Sequence, residues 1–291
     1  MPDSNLNPTT MKISRSVFLK TMGITTTVAL TGSRAFATKR RVDNPPVVET
    51  NLKLGLASYT LRKLALDDVI KVSKRLGLTY LALKSVHMPL ESSGEEIRSI
   101  AQKVRAAGLT LYGGGVIYMK TKQEADAAFQ YAANAGLEMI IGVPNHDLLP
   151  QVNDLVKKYN IKLAIHNHGP GDDLYSSPND VHARIKDLDK RIGFCMDIGH
   201  VVRIGEDPVP MLEKYKDRIY DMHMKDMDKA EPEGKPVEIG RGVINIPQVV
   251  TMLKKIKYQG YVGFEHEKDA DDPVAGLAES VGYVRGVSKV V

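Results

Sequence analysis

Chemistry in this chain collects where short apolar runs end. Of its eight histidines, all but His182 stand at or just beyond such an end, most with a carboxylate close by. Asp197-Ile198-Gly199-His200 closes the run 192–196, and His166-Asn167-His168 closes 161–165. His223-Met224-Lys225-Asp226 closes 219–222, and Glu265-His266-Glu267 closes 261–264. A charge at the tip of a buried strand is costly unless it is partnered. One at a time, each residue has an ordinary role: Asp197 caps a loop, His223 is a core histidine, Glu265 pairs with Lys225. Together, His166, Asp197, His223 and Glu265 end four consecutive strands and offer two imidazoles and two carboxylates to one point. That donor set suits one borderline divalent cation, Zn²⁺, Mn²⁺ or Co²⁺, with coordination left for a substrate's oxygens. Two nitrogens argue against an all-oxygen magnesium cage.

A cation of this kind beside an α-hydroxycarbonyl sugar stabilises the enediolate formed when the neighbouring C–H is deprotonated. A base must take the proton and an acid must return it. Glu265, His166 and His168 are the base candidates. Lys84, His87 and Lys225, also near strand ends, are placed to bind hydroxyls or polarise a carbonyl. Reprotonation at the other carbon is isomerisation, from the opposite face epimerisation, and loss of a β-substituent is elimination.

Bringing such tips together requires parallel strands with their carboxyl ends at one place. The apolar runs 52–57, 80–83, 109–112, 139–143, 161–165, 192–196, 219–222 and 261–264 supply them. Between them lie stretches of helical period, such as 94–107, 122–135, 147–159, 245–256 and 274–287. Gly77, Gly108 and Gly136 fall where helices should stop, and Asn245 and Asp272-Pro273 where they should start. Eight strand–helix units in about 240 residues predict a single (β/α)8 TIM barrel over 51–291. An open doubly wound sheet would carry a glycine-rich phosphate loop after its first strand, and Ala57-Ser58-Tyr59-Thr60-Leu61 is not one.

Residues 1–37 read as an export signal: basic residues, an uncharged apolar run over 22–31, then Ala35-Phe36-Ala37 as the cleavage site. Ser14-Arg15-Ser16-Val17-Phe18-Leu19-Lys20 resembles a twin-arginine motif with Ser16 in place of the second arginine, which leaves the Tat and Sec routes open. Residues 38–50, with Pro45-Pro46, form a linker, so the expected location is the periplasm of a bacterium. Lys12, Arg15, Lys20 and Arg34 against Asp3 give the signal +3 of the chain's +5, leaving +2 for the rest. A near-neutral barrel gives no electrostatic case for nucleic acid. The lone Cys195 excludes a disulfide framework and a cysteine-based zinc site, and no apolar run reaches the ~20 residues that span a membrane. A homodimer is compatible with the sequence.

These motifs resemble those of the xylose isomerase-like TIM barrels, the superfamily of sugar phosphate isomerases and epimerases, inosose dehydratases and type 2 apurinic endonucleases. Asp197-Ile198-Gly199-His200 matches its D-x-G-H and His223-Met224-Lys225-Asp226 its H-x-K-D. Gly240-Arg241-Gly242-Val243-Ile244-Asn245 follows G-x-G-x-x-D up to its last residue, and the Gly260–Glu265 segment opens with the G-Y-x-G of G-Y-x-G-x-x-x-E. The resemblance implies that Asp197, His223 and Glu265 bind a divalent cation and that His200 and Lys225 approach the substrate. Family epimerases carry a metal-ligating, proton-transferring Glu at the end of strand five. His166 stands there in this chain, within an H-x-H like that of inosose dehydratases, while Asn245 in place of the family Asp reads as a helix cap.

The resulting expectation is a metal-dependent sugar isomerase or epimerase working through an enediolate on a free sugar or keto-sugar. A lyase or dehydratase acting on a keto-sugar or oxidised glycoside is the alternative, favoured by His166 and by export. A non-catalytic sugar-binding barrel is the third reading.

Overall fold

The computed structural model describes residues 52–291. The export signal and the linker expected over 1–50 lie outside the described residues. The barrel strands are β1 (Lys53–Ala57), β2 (Tyr80–Leu83), β3 (Thr110–Met119), β4 (Met139–Pro144), β5 (Lys162–His166), β6 (Ile192–Asp197) and β7 (Ile219–Met224), closed by β10 (Tyr261–Phe264). Each pairs in parallel with the next, and β10 pairs with β1 to complete the expected closed barrel. A short antiparallel ribbon, β8 (Asp226–Met227) with β9 (Pro236–Val237), follows β7.

Outside the barrel run α1 (Leu66–Arg75), α2 (Gly94–Ala106), α3 (Lys122–Ala135), α4 (Leu149–Tyr159) and α5 (Pro178–Ile185). They are followed by α6 (Ile198–Arg203), α7 (Pro208–Tyr215), α8 (Ile246–Lys255) and α9 (Pro273–Val290). Their ends follow local chemistry. Ser93, Thr121 and Ser177 each accept from the third helical N–H while Glu96, Glu124 and Asp180 reach back, three reciprocal caps. Asn245 accepts from the N–H of Gln248 and starts α8. Gly136, at φ 60°, closes α3 in the left-handed conformation that glycine adopts without cost. Among the described residues no helix is long and apolar enough to cross a membrane.

The core has two layers. Leu, Val, Ile and Met side chains fill the space between strands and helices. A smaller group, Ala82, Tyr112, Met139, Ile141, Ala164, Cys195 and Tyr261, fills the barrel itself, with Tyr112 stacked on Tyr261 at 3.9 Å. One strand departs from the sequence reading. The apolar run predicts an end for β3 at Tyr112, yet the strand continues through Gly113-Gly114-Gly115 to Met119, with register shifts against both neighbours. A Cβ on Gly114 would lie 2.9 Å from the Leu137 side chain, and one on Gly115 would collide with the carbonyl of Ile141. The glycines let backbone approach backbone there, and the extension carries Tyr118 to the barrel mouth.

Asp226 is buried, and its carboxylate accepts four backbone N–H groups. Met227 (2.9 Å) and Ile244 (3.1 Å) donate to Oδ1, and Gly240 and Gly242 (each 2.9 Å) donate to Oδ2. The loop between β9 and α8 is thereby folded onto one side chain, and a Cβ at Gly242 would strike that carboxylate. Replacing Asp226 with Ala leaves three loop amides of residues 240–244 without their acceptor, an expected loss of about 3 kcal/mol or more in denaturant unfolding. A loss below about 1 kcal/mol would show that water takes over the carboxylate's role.

Candidate metal centre

β5, β6, β7 and β10 are consecutive around the barrel, and their carboxyl ends deliver the four expected ligands to one place. His166 and Asp197 are the last residues of their strands, His223 is one short of the end of β7, and Glu265 is one beyond β10. One ligand atom from each lies within 4.8 Å of the others, and all four residues are buried. His166 Nε2 is 3.1 Å from His223 Nδ1 and 3.4 Å from Asp197 Oδ2. Glu265 Oε2 is 3.0 Å from His223 Nδ1.

The donor set fits a divalent cation. Asp197 Oδ2 is buried and makes no well-formed hydrogen bond; the Lys225 ammonium stands 2.8 Å away, and His166 Nε2 (3.4 Å), His223 Nδ1 (3.8 Å) and His200 Nε2 (3.9 Å) face it from farther off. Burial opposes ionisation of Asp197, but Lys225 and His200 hold its carboxyl well below the usual range. Glu265 is likewise held low against burial by His223 and Lys225. Burial drives the His166 imidazole well down, so its ring nitrogen keeps a free lone pair. The His223 ring is also pulled down by burial, yet the Glu265 and Asp197 carboxylates together raise it well above its ordinary value, so a cation binding at Nδ1 would displace its proton. Two anionic oxygens and two imidazole nitrogens thus converge in a space closed to water, which is the setting in which a cation binds. Cys195 is close enough to make a second grouping with His166 and His223. Burial pushes its thiol well up, and Sγ donates to Asp221 Oδ2 at 3.3 Å, so it is a poor ligand beside Glu265.

The surrounding residues fix these ligands. Asn167 bonds the backbone of Asp197 in both directions: Oδ1 accepts its N–H at 3.0 Å and Nδ2 donates to its carbonyl at 3.1 Å. The side-chain amide acts as one more rung between β5 and β6 and sets the height of Asp197. Behind His223, Asp221 Oδ2 lies 3.7 Å from Nε2, and Tyr112 donates to Asp221 Oδ1 at 3.0 Å. Burial raises the Asp221 carboxyl to about 6. Asp197 Oδ1 accepts the N–H of His200, so the residue whose other oxygen faces the cage is also the cap of α6.

Lys225 and His200, the expected substrate contacts, lie against the cluster. Lys225 Nζ lies 2.8 Å from Asp197 Oδ2, 2.8 Å from Glu265 Oε2 and 3.1 Å from Glu267 Oε1. His200 Nδ1 accepts from Arg203 at 3.2 Å, leaving Nε2 toward Asp197. His168 stands beside His166 with ring centroids 4.4 Å apart; Tyr118 Oη lies 3.0 Å from Nε2, and Asp172 Oδ2 3.6 Å from Nδ1. Lys84 sits on the other flank. Its Nζ donates to the carbonyl of Val116 at 2.9 Å, and burial lowers its ammonium pKa against the pull of Glu265 and Glu267. His87 is not brought into the cluster with a free nitrogen: Nδ1 meets Ser58 Oγ at 2.9 Å and Nε2 the Leu64 carbonyl at 3.1 Å. Sequence reasoning does not single out Asn167, Asp221, Glu267 or Tyr118. The period of two that groups Asp221 with His223 and Lys225 is a usable signal for the second of these.

Residues 58–287 match the model of the family described as xylose isomerase-like TIM barrel. A stretch of 138 residues is 28% identical to inosose dehydratase of Clostridium tetani, covering 42% of this chain and 45% of that protein. The chain therefore spans under half the length of this curated relative. The solved structure of the IOLI protein with a binding zinc atom superposes with a TM-score of 0.68 at 15% identity, over 82% of this chain and 99% of that one. That of 3-keto-D-glucoside 4-epimerase from E. coli gives 0.65 at 14% identity, over 81% and 99%. At these identities both share the fold.

Burial lowers the His200 imidazole from 6.5 to about 4, with Asp197 pulling the other way. The unfolded chain therefore binds this proton first, and the stability that His200 contributes is complete above 6.5 and lost as pH falls toward 4. In chelator, wild type should lose about 3 kcal/mol more over that interval than His200→Gln. Parallel stability curves for the two proteins would refute the assignment.

Proposed function

The chain belongs to the xylose isomerase-like TIM barrel family, and we propose on that premise that it is a divalent-metal-dependent enzyme removing a proton next to the carbonyl of a sugar. The outcome we assign is elimination, a lyase or dehydratase reaction on a keto-sugar or oxidised glycoside. The observation that carries this reading is the buried cage of His166, Asp197, His223 and Glu265 with proton carriers around it. A cation held there supplies positive charge where a substrate oxygen becomes negative.

The chain's own residues do the rest. His166 and Glu265 turn their polar atoms into the cage, so of the three base candidates His168 is the one left outside it, its side chain 25% exposed. His168 takes the carbon-bound proton on Nε2, where the substrate replaces the Tyr118 hydroxyl, while Asp172 faces Nδ1 and steadies the imidazolium. The electron pair of that bond moves toward the carbonyl and then forms the new double bond as the β-substituent leaves. The protonated His168 then hands that proton to the departing group, and Glu267, 3.1 Å from Lys225 Nζ and 32% exposed, stays the partner of that ammonium. Lys225, His200 and Lys84 hold hydroxyls and the carbonyl.

Two points favour elimination over isomerisation. A relative similar in sequence, that of Clostridium tetani, is named inosose dehydratase, and strand five ends in His166 where a paired-glutamate epimerase needs Glu. Isomerisation or epimerisation through the same enediolate is the second reading, supported by the shared fold with a 3-keto-glucoside epimerase. In this proposal residues 1–37 are an export signal and the periplasm is the location, where free sugars and glycosides are the available substrates.

Purified protein should contain a divalent metal, and a panel of keto-sugars and keto-glycosides should be turned over only while it is bound. Asp197→Ala should lower turnover by about 10³-fold or more. Full activity in that variant would remove the cation from the mechanism. In D₂O an unsaturated or cleaved product is expected; an intact ring carrying solvent deuterium would move the assignment to isomerisation or epimerisation.

A further inference from the structure

Lys225 stands in an unusual place for a substrate contact. It follows β7 in the inward register of Asp221 and His223, so its chain rises along the barrel wall into the cage. Its ammonium is buried, with 3% of the side chain exposed, and it sits equally close, at 2.8 Å, to Asp197 Oδ2 and Glu265 Oε2. Those are the same two oxygens that face the ring nitrogens of His166 and His223. Room for the stem is built in: a Cβ on Gly199 would come within 3.0 Å of Lys225 Cβ and 3.2 Å of its Cδ. The glycine of D-x-G-H therefore keeps a channel open for this side chain.

A divalent ion in the cage changes the balance of charge. Asp197 and Glu265 carry two negative charges, which the ion alone neutralises. An ammonium left between the same oxygens adds an uncompensated positive charge in a dry site, which is expensive. Glu267 supplies the missing negative charge, 3.1 Å from Nζ and nearer the solvent.

We propose that the Lys225 ammonium and the divalent cation compete for Asp197 Oδ2 and Glu265 Oε2, and that filling the cage drives Lys225 onto Glu267 at the barrel mouth. Lys225 thereby keeps the two carboxylates paired before the ion arrives and reaches the substrate position only afterwards. Metal loading and substrate binding are coupled through this one side chain. The inference rests on the cage being a metal site, and the test separates the two.

The affinity of Mn²⁺ and of Zn²⁺ alone is measured by competition with a fluorescent chelator for wild type and Lys225→Met. Removing the competitor should tighten binding by about tenfold or more, and the variant should melt at lower temperature than wild type in EDTA. Equal or weaker binding by the variant overturns the competition. Failure of both proteins to bind either ion overturns the metal site itself and the inference with it. A second measurement needs only wild type: amine acetylation at Lys225, read by mass spectrometry, should be slow in EDTA and faster with saturating Mn²⁺. Equal protection in both states overturns the displacement even if Lys225→Met does not fold.

Discussion

Everything at the carboxyl end of this barrel answers to the cost of burying charge. Asp197, Glu265 and Lys225 lie within contact distance of one another, nearly without access to water, and two imidazoles press against them. Each charge alone would be driven to its neutral form by desolvation. Ionisation survives because the partners are held at fixed distances, and fixing them is the work of the surrounding fold. A closed sheet suits that work, since its strands have no free edge and their tips cannot shift one by one.

The holding residues are less visible in the sequence than the charges they hold. Eight apolar runs and their turn signals make the barrel legible, and the ends of four strands make the cage legible, because a charge directly after an apolar run is an unusual pattern. β3 escapes that logic because a glycine triplet reads as a break; here its lack of side chains is what lets the strand run on past its neighbours. His87 looks like the other strand-end histidines, but nothing local in the sequence reveals that Ser58 and Leu64 occupy both its nitrogens. Asn167 is the opposite case. Flanked by two histidines it attracts no notice, yet its amide sets the position of Asp197.

The motif words that suggest the family also divide into two kinds of necessity. In D-x-G-H the acid faces the cage and caps α6, while the glycine serves the stem of a lysine from another strand. In H-x-K-D the first and third residues belong to the charge cluster and the fourth to the loop beyond it. A short motif here is a set of separate constraints that share a strand. The two ordinary roles open to Asp197 and Glu265, a cap and a partner for Lys225, hold alongside the cage geometry.

The Asp226 clasp has a consequence for how the mouth admits its ligands. A loop whose amides at Met227, Gly240, Gly242 and Ile244 all end on one buried carboxylate has no hinge left to turn on. That wall of the entrance is a fixed doorpost, and its shape screens ligands before any contact with the cage is made. Adaptation to new substrates then has its freedom on the opposite jamb, where Tyr118 stands on a glycine-supported extension with almost half of its surface open to solvent. Changes there alter what enters and what His168 meets at Nε2, while Asp197, Glu265 and Lys225 keep their places below.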